Sequence, residues 1–123
     1  MEYSLAIGSN WERHQHMEQA RRWLKELFPD IRFSAEEETL PVGMKRHDAF
    51  ANQVATFHSS WTPAEVVEHL KALERQAGRQ PEEKAQEIVR LDLDLLMADQ
   101  EILRPADVAR DYIQRGLKQL LHT

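Results

Sequence analysis

Residues 90–96, Arg90-Leu91-Asp92-Leu93-Asp94-Leu95-Leu96, alternate acids with leucines. Successive side chains of a β-strand point to opposite faces, so this pattern predicts a strand with Asp92 and Asp94 on one face and leucines buried on the other. The two carboxylates would lie about 7 Å apart along the strand and repel each other unless a cation or water separates them. Hard oxygen ligands of this kind suit Mg²⁺, which keeps several waters and also binds substrate phosphates. The same pattern fits a half-buried strand whose acidic face is solvated.

Length and composition predict one domain over residues 1–123, with the apolar and charged fractions of an ordinary globular protein. The net charge of −5 argues against a nucleic-acid backbone as the main partner but leaves room for a small anion held by a local basic cluster. The absence of cysteine excludes disulfides, thiolate metal sites and cysteine nucleophiles. No apolar run reaches the roughly 18 residues of a membrane span, and the first residues lack a signal-peptide layout. We therefore expect a cytoplasmic protein without a membrane partner.

Four strands and three helices are predicted from the spacing of apolar residues. The strands are expected at 2–8, 31–38, 49–58 and 88–97. The first two helices are expected from Ser9 or Asn10 to Phe28 and from Thr62 to Gly78. The last helix is expected to begin at Pro105 and to place one apolar stripe on one side, formed by Ala109, Tyr112, Ile113, Gly116, Leu117 and Leu120.

Capping residues mark the ends of the first two helices. Ser9 or Asn10 can cap the first helix, because either side chain accepts from free backbone N–H groups. Residues 62–65, Thr-Pro-Ala-Glu, predict a capping box, and Gly78 favours the left-handed conformation that closes a helix. The order βαββαβ plus a terminal helix predicts a ferredoxin-like α+β fold, whose antiparallel sheet buries one face under the two crossover helices.

Two further pairs of residues could form a binding site with the acids. Arg79, which follows Gly78, and Arg90 could flank a polyphosphate, because a guanidinium matches phosphate oxygens. Both could equally be solvated surface cations. Phe50 and Asn52 share a strand face, and an aromatic ring beside an amide can stack on a flat heterocycle and hydrogen-bond to its edge. That pair could also be a core aromatic next to a polar residue.

Taken in order, these motifs resemble the 6-hydroxymethyl-7,8-dihydropterin pyrophosphokinase family of folate biosynthesis. The resemblance covers roughly residues 3–97 and rests on Ala6-Ile7-Gly8-Ser9-Asn10, Glu38-Thr39-Leu40-Pro41-Val42-Gly43, Phe50-Ala51-Asn52-Gln53-Val54, Thr62-Pro63 with the helix ending Leu73-Glu74-Arg75-Gln76-Ala77-Gly78-Arg79, and Leu91-Asp92-Leu93-Asp94-Leu95-Leu96. The fold of that family is ferredoxin-like, in agreement with the order of elements above.

The resemblance implies a reaction and a catalytic group. The hydroxymethyl oxygen of the pterin attacks the β-phosphorus of Mg²⁺-ATP, pyrophosphate moves to the pterin, and AMP leaves. Asp92 and Asp94 would hold two Mg²⁺ ions that bridge the phosphates and the attacking oxygen, with Arg79 of the matched helix end in the catalytic group. Arg90, which lies outside the matched motifs, is a further candidate for that group.

The resemblance also implies the residues that bind the two substrates. Phe50 would stack on the pterin, and other residues would read its edge: Asn52, Thr39, Leu40 and Val42. A third set would place the nucleotide: Lys71, Glu74 and Arg79.

Three segments depart from the family pattern. Residues 80–90 contain more acids, no tryptophan and few bases, whereas family members carry arginines and a tryptophan there. Val89 stands where the family has an arginine, and Arg90 comes one residue later. The segment after the acidic strand lacks the family's proline–histidine pair. Part of the pocket is therefore missing or supplied differently.

Two other functions stay open. A non-catalytic relative could keep the ferredoxin-like scaffold as a binding or assembly module, and the acidic stretch 80–90 favours it because an enzyme needs cations near a triphosphate. A homo-oligomeric structural domain could use the apolar stripe of the last helix as its interface. The sequence does not determine the oligomeric state or whether a partner completes the site.

Overall fold

Six β-strands in one sheet and four α-helices are found in the part of the chain that the structure, a computed structural model, describes: residues 1–121. The strands are β1 (Glu2–Ser9), β2 (Arg32–Phe33), β3 (Glu37–Thr39), β4 (Phe50–His58), β5 (Asp92–Ala98) and β6 (Glu101–Ile102). The helices are α1 (Arg13–Leu27), α2 (Pro63–Gln76), α3 (Pro105–Val108) and α4 (Asp111–Leu121). The predicted domain also includes residues 122 and 123, which lie outside the described part. No helix among residues 1–121 has the length and apolar composition to cross a membrane.

The sheet is built around β1. Its strands are ordered β2–β4–β1–β5–β6, with β3 also paired to β4, and every pairing is antiparallel. β1 pairs with β4 along its whole length and with β5 from Tyr3 to Gly8 on its other side. An antiparallel sheet with helices outside it agrees with the predicted α+β class.

Helices cover both faces of this sheet. Tyr3 and Leu5 of β1 pack in a core with α1 and α2, whereas Val54 of β4 packs with Ile113 of α4. Residues 51–55 of β4 are consequently all buried, whichever face they point to. The sequence predicted one buried face, and the structure shows that the C-terminal helix buries part of the second.

The helix α4 lies close to β4 because Gly116 faces the strand. A Cβ atom at Gly116 would lie 2.6 Å from Cγ2 of Val54 and 3.2 Å from the hydroxyl of Ser34. A real side chain cannot approach so closely, so the contact requires glycine. This packing fixes the segment that precedes α4 above the same face of the sheet.

The strand predicted at 31–38 is interrupted in the structure. β2 ends at Phe33 because the backbone N–H of Val54 donates to the hydroxyl of Ser34 (2.9 Å) instead of a carbonyl. The carbonyl of Ser34 accepts from the side-chain amide of Gln53 (2.6 Å). β3 then pairs with β4 one residue out of step with β2. Side-chain hydrogen bonds therefore divide one predicted strand into two.

The second helix confirms both of its predicted caps. Thr62 and Glu65 form the reciprocal capping box, and Gly78 adopts a left-handed conformation with φ of 98°. The predicted cap of the first helix is wrong. α1 begins at Arg13, after Glu12 in a left-handed conformation, and no side chain caps it.

Asn10 has a long-range role in place of the predicted cap. Its side chain donates to the carbonyl of Glu87 (2.8 Å) and accepts from the N–H of Val89 (2.6 Å). Its own N–H donates to the carbonyl of Val89 (2.9 Å). Because Asn10 engages this segment, regular pairing of the last long strand begins at Asp92 and not at residue 88 as predicted.

The helix predicted from Pro105 onwards is two helices. The carbonyl of Val108 accepts a hydrogen bond from the side-chain amide of Gln114 (2.6 Å), a contact that a continuous helix would replace with a backbone bond. The chain therefore bends at residues 109 and 110 before α4 begins.

Candidate active site

A cleft of about 750 Å³ lies on the sheet face that carries α4, over the part of that face that α4 leaves uncovered. Its floor is formed by β1, β4 and β5, and its walls by the loop after β3 and by residues 104–113. The cleft brings together seven of the predicted site residues: Thr39, Leu40, Val42, Phe50, Asn52, Asp92 and Asp94. Strand alternation places the acids of β5 and the aromatic–amide pair of β4 on one face, with β1 between them.

The acidic pair faces the cleft in an electrostatically unfavourable arrangement. Burial, together with the charge and hydrogen bond of Asp92, raises the pKa of Asp94 from its ordinary value of 3.8 to about 6. Arg104 and Lys71 oppose this rise. The Asp94 side chain is 19% exposed and that of Asp92 is 40% exposed, so both carboxylates remain reachable from the cleft.

This chemistry fits a divalent cation that a substrate helps to hold. Two carboxylates that resist joint ionisation are stabilised by a nearby positive charge, and Mg²⁺ commonly takes one or two carboxylates plus substrate phosphates. Among the described residues, no group of three or more His, Cys, Asp or Glu side chains could hold a metal ion. Asp92 and Asp94 therefore fit Mg²⁺ bound together with a phosphate ligand.

Phe50 and Asn52 form the opposite side of the cleft. Both line it from β4, and the side-chain amide of Asn52 donates to the hydroxyl of Thr39 (2.7 Å). Gly8 of β1 lies beside Asn52, and a Cβ there would lie 3.7 Å from Oδ1 of Asn52. The cleft thus offers an aromatic ring next to an amide held by a neighbouring strand.

Of the three predicted nucleotide-binding residues, two cations from α2 and the turn that follows it reach the acids, and Glu74 holds both of them. Glu74 is buried and accepts from the backbone N–H of Leu93 (2.7 Å). The same carboxylate binds Lys71 (3.2 Å) and Arg79 (2.8 Å). Lys71 lies 3.9 Å from Asp94, and Arg79 lies 3.8 Å from an oxygen of Asp92. One buried acid therefore orients two cations beside the acidic pair.

Arg90 lies elsewhere. Its Nε donates to Glu83 (2.8 Å), and a Cβ atom at Gly78 would lie 3.7 Å from its Cδ. Because β5 begins at Asp92, Arg90 precedes the strand that carries the acidic pair. It is not among the residues that line the cleft. A catalytic role for Arg90 stays a prediction.

The cleft contains a basic wall that the sequence analysis missed. Arg104 bonds to Asp107 (2.5 Å) and lies 3.8 Å from Asp94. Arg110 bonds to the same aspartate (3.4 Å) and to the hydroxyl of Tyr112 (3.2 Å). All four line the cleft together with Asp94. The sequence signal that could have revealed this wall is Arg104 and Arg110 on either side of Asp107, at the start of the predicted last helix.

The acids of the stretch 80–90 are largely engaged in structure. Glu83 is buried, where it accepts from the N–H of Gln80 (3.0 Å) and pairs with Arg90. These contacts and the charge of Arg90 hold the pKa of Glu83 below its usual range against its burial, which acts in the opposite direction. Glu87 accepts from backbone N–H groups of the loop before β4. Glu83 is therefore paired with a cation, and the carboxylate of Glu87 is occupied by two backbone N–H groups.

Comparison with known proteins identifies the family. The family model for 7,8-dihydro-6-hydroxymethylpterin-pyrophosphokinase matches residues 4–122, which is nearly the whole chain. No curated protein matches the chain at a significant level. The family match agrees with the resemblance found in the sequence and extends it past the acidic strand to the C-terminal helix. The chain belongs to the 7,8-dihydro-6-hydroxymethylpterin-pyrophosphokinase family.

Proposed function

We propose that this protein transfers pyrophosphate from ATP to 6-hydroxymethyl-7,8-dihydropterin in a Mg²⁺-dependent reaction that releases AMP. Family membership supports the reaction class. The observation that carries the proposal is the cleft itself, in which an aromatic–amide pair on β4 faces two carboxylates on β5. The aromatic–amide pair suits a flat ring, and the two carboxylates suit the Mg²⁺ that accompanies a polyphosphate.

In this proposal the acids of β5 hold the metal and α2 holds the nucleotide. Asp92 and Asp94 hold two Mg²⁺ ions, which when bound neutralise phosphate charge and polarise the oxygens of the transferring group. Lys71 and Arg79, oriented by Glu74, bind phosphate oxygens of ATP next to the acids.

The pterin occupies the other half of the cleft. Phe50 stacks on the ring, and Asn52 with Thr39 hydrogen-bonds to its edge. The backbone at Leu40 and Val42 reads the rest of that edge. The hydroxymethyl oxygen then forms a bond to the β-phosphorus as the bond from that phosphorus to the α,β-bridging oxygen breaks. AMP leaves with the bridging oxygen and its bonding electron pair, and the proton of the hydroxyl is released to water.

The basic wall supplies cations that the stretch 80–90 lacks. Arg104 and Arg110 line the cleft on the acid side, and both share Asp107, so their guanidinium groups are held in place. This observation favours an enzyme over the non-catalytic module, because the shortage of cations was the main argument for the latter. We also propose that the core sheet is of the ferredoxin-like type, supported by the antiparallel order β2–β4–β1–β5.

The test is AMP formation in a mixture of protein, Mg²⁺, ATP and 6-hydroxymethyl-7,8-dihydropterin. We expect AMP to appear only when all components are present, and the double substitution Asp92→Ala with Asp94→Ala to abolish it. Glu18→Ala, at an exposed position of α1, is the matched control and keeps full activity. Wild-type protein that releases no AMP above background would leave the binding-module alternative, which a calorimetric titration with the pterin then tests.

A further inference from the structure

The loop that lines the pterin half of the cleft has few anchors of its own. We call residues 40–46 the cleft loop. Leu40 is 75% exposed and Val42 is 93% exposed, although both line the cleft. At its start the loop follows Thr39, which is bonded to Asn52. Its position over the cleft therefore depends on what holds its far end.

The carboxylate of Glu87 binds the backbone of that far end. Oε1 of Glu87 accepts from the backbone N–H of Lys45 (2.7 Å) and of Arg46 (3.1 Å). The Arg46 side chain also donates to the carbonyl of Gln86 (3.2 Å), and its guanidinium lies over the ring of Trp11 at 5.2 Å. The cleft loop and the stretch 80–90 are thus joined through Gln86 and Glu87, and the Glu87 carboxylate is the group that binds the loop backbone.

Glu87 is itself fixed from the other side. The Asn10 side chain donates to its carbonyl and accepts from the N–H of Val89, so the backbone around Glu87 cannot shift freely. Glu87 also adopts a left-handed conformation, with φ of 58°, which is uncommon for a residue with a Cβ. The chain keeps a carboxylate at a position where glycine would be conformationally easier.

From these contacts we infer that Glu87 is a positioning residue for the pterin pocket. Its carboxylate binds the N–H groups of Lys45 and Arg46, and thereby holds the cleft loop over the ring-binding half of the cleft. The acid contributes through the loop and does not touch substrate. This inference rests on the proposed function, because it assigns the cleft loop to the pterin.

Substitutions at Glu87 separate its carboxylate from its backbone conformation. Glu87→Gly removes the side chain and relaxes the left-handed conformation, so relieved backbone strain offsets part of the loss of the two hydrogen bonds. Glu87→Gln keeps an acceptor oxygen without the charge and should restore part of the effect. Glu82→Ala removes an exposed acid from the same stretch and is the matched charge control.

The measurement is calorimetric binding of the pterin and of a non-hydrolysable ATP analogue, with hydrogen exchange at the cleft loop. We expect Glu87→Gly to weaken pterin binding about tenfold, or about 1.4 kcal/mol, to leave nucleotide binding unchanged, and to speed exchange at the amides of Lys45 and Arg46. Glu87→Gln should lie between this variant and the wild type, and Glu82→Ala should match the wild type.

The outcomes distinguish this inference from the proposed function. Unchanged pterin affinity in Glu87→Gly, with wild-type protein that does bind the pterin, overturns the inference and leaves the proposed function standing. Equal loss of pterin and nucleotide binding also overturns it, because Glu87 would then support the whole cleft. Wild-type protein that binds no pterin defeats the proposed function. In that case exchange at Lys45 and Arg46 still decides whether Glu87 holds the loop.

Discussion

Asp94→Asn should make the protein more stable at neutral pH while it removes activity. The side chain lies partly buried beside Asp92, and its pKa is raised from 3.8 to about 6. Each pKa unit corresponds to about 1.4 kcal/mol, so ionising Asp94 in the folded protein costs about 3 kcal/mol. Because the side chain keeps 19% exposure and solvent screens part of this cost, we expect a gain of about 1–3 kcal/mol at pH 8.

The cost of ionising Asp94 makes the folded protein less stable as the pH rises. Between pH 3.8 and about 6 the folded protein holds a proton on Asp94 that the unfolded chain has released, so this group lowers stability as pH rises through that window. Above pH 6 the full cost is present, and at pH 4 only about 0.5 kcal/mol of it remains. The advantage of Asp94→Asn should therefore be large at pH 8 and nearly absent at pH 4.

Urea denaturation at the two pH values measures this advantage. For a protein of this size a gain of 2 kcal/mol moves the urea midpoint by about 1 M. Lys71 and Arg104 each keep a second carboxylate partner, Glu74 and Asp107 respectively, so the substitution leaves neither cation alone. Glu18→Gln, on the exposed face of α1, serves as the control. The reasoning is refuted if Asp94→Asn is no more stable than wild type at pH 8, or if its advantage is the same at pH 4.

Two further substitutions test the packing around the site. Gly116→Ala should lower the free energy of unfolding by about 1–3 kcal/mol in urea melts, because its Cβ would lie 2.6 Å from Val54. This loss should appear even though alanine favours a helix. A loss no larger than that of the exposed Lys118→Ala would contradict the close contact. Glu74→Ala should cost about 1–3 kcal/mol because the N–H of Leu93 loses its acceptor, and Glu74→Gln should cost less because the amide oxygen still accepts. Equal losses for the two Glu74 variants would count against this hydrogen bond.

Strand alternation was sufficient to predict the centre of the cleft. The period of two in β5 put Asp92 and Asp94 on one face, and the same period in β4 put Phe50 with Asn52. Neighbouring strands share their faces, so these four side chains had to meet once the strand order placed only β1 between them. Local capping at Thr62 was predicted for the same reason, because its signal lies within four residues of sequence.

Contacts between distant parts of the chain set the limits of the prediction. Asparagine is a residue type that often caps helices, yet the side chain of Asn10 hydrogen-bonds to the backbone of residues 87 and 89. Nothing local distinguishes these two uses of an asparagine. The basic wall was missed because one helix was predicted from Pro105 onwards. The structure has two helices there, and the side chain of Gln114 bonds to the carbonyl of Val108 at the bend between them. Arg104 and Arg110, which lie on either side of α3, both line the cleft.

The fate of the two outer phosphates of ATP tests the central claim most directly. The protein is incubated with Mg²⁺, 6-hydroxymethyl-7,8-dihydropterin and ATP that is radiolabelled in the γ-phosphate, and the products are separated by chromatography. The account predicts that the label moves to the pterin as pyrophosphate in amounts equal to the AMP formed. Label found in free phosphate or pyrophosphate, with the pterin unlabelled, would contradict it.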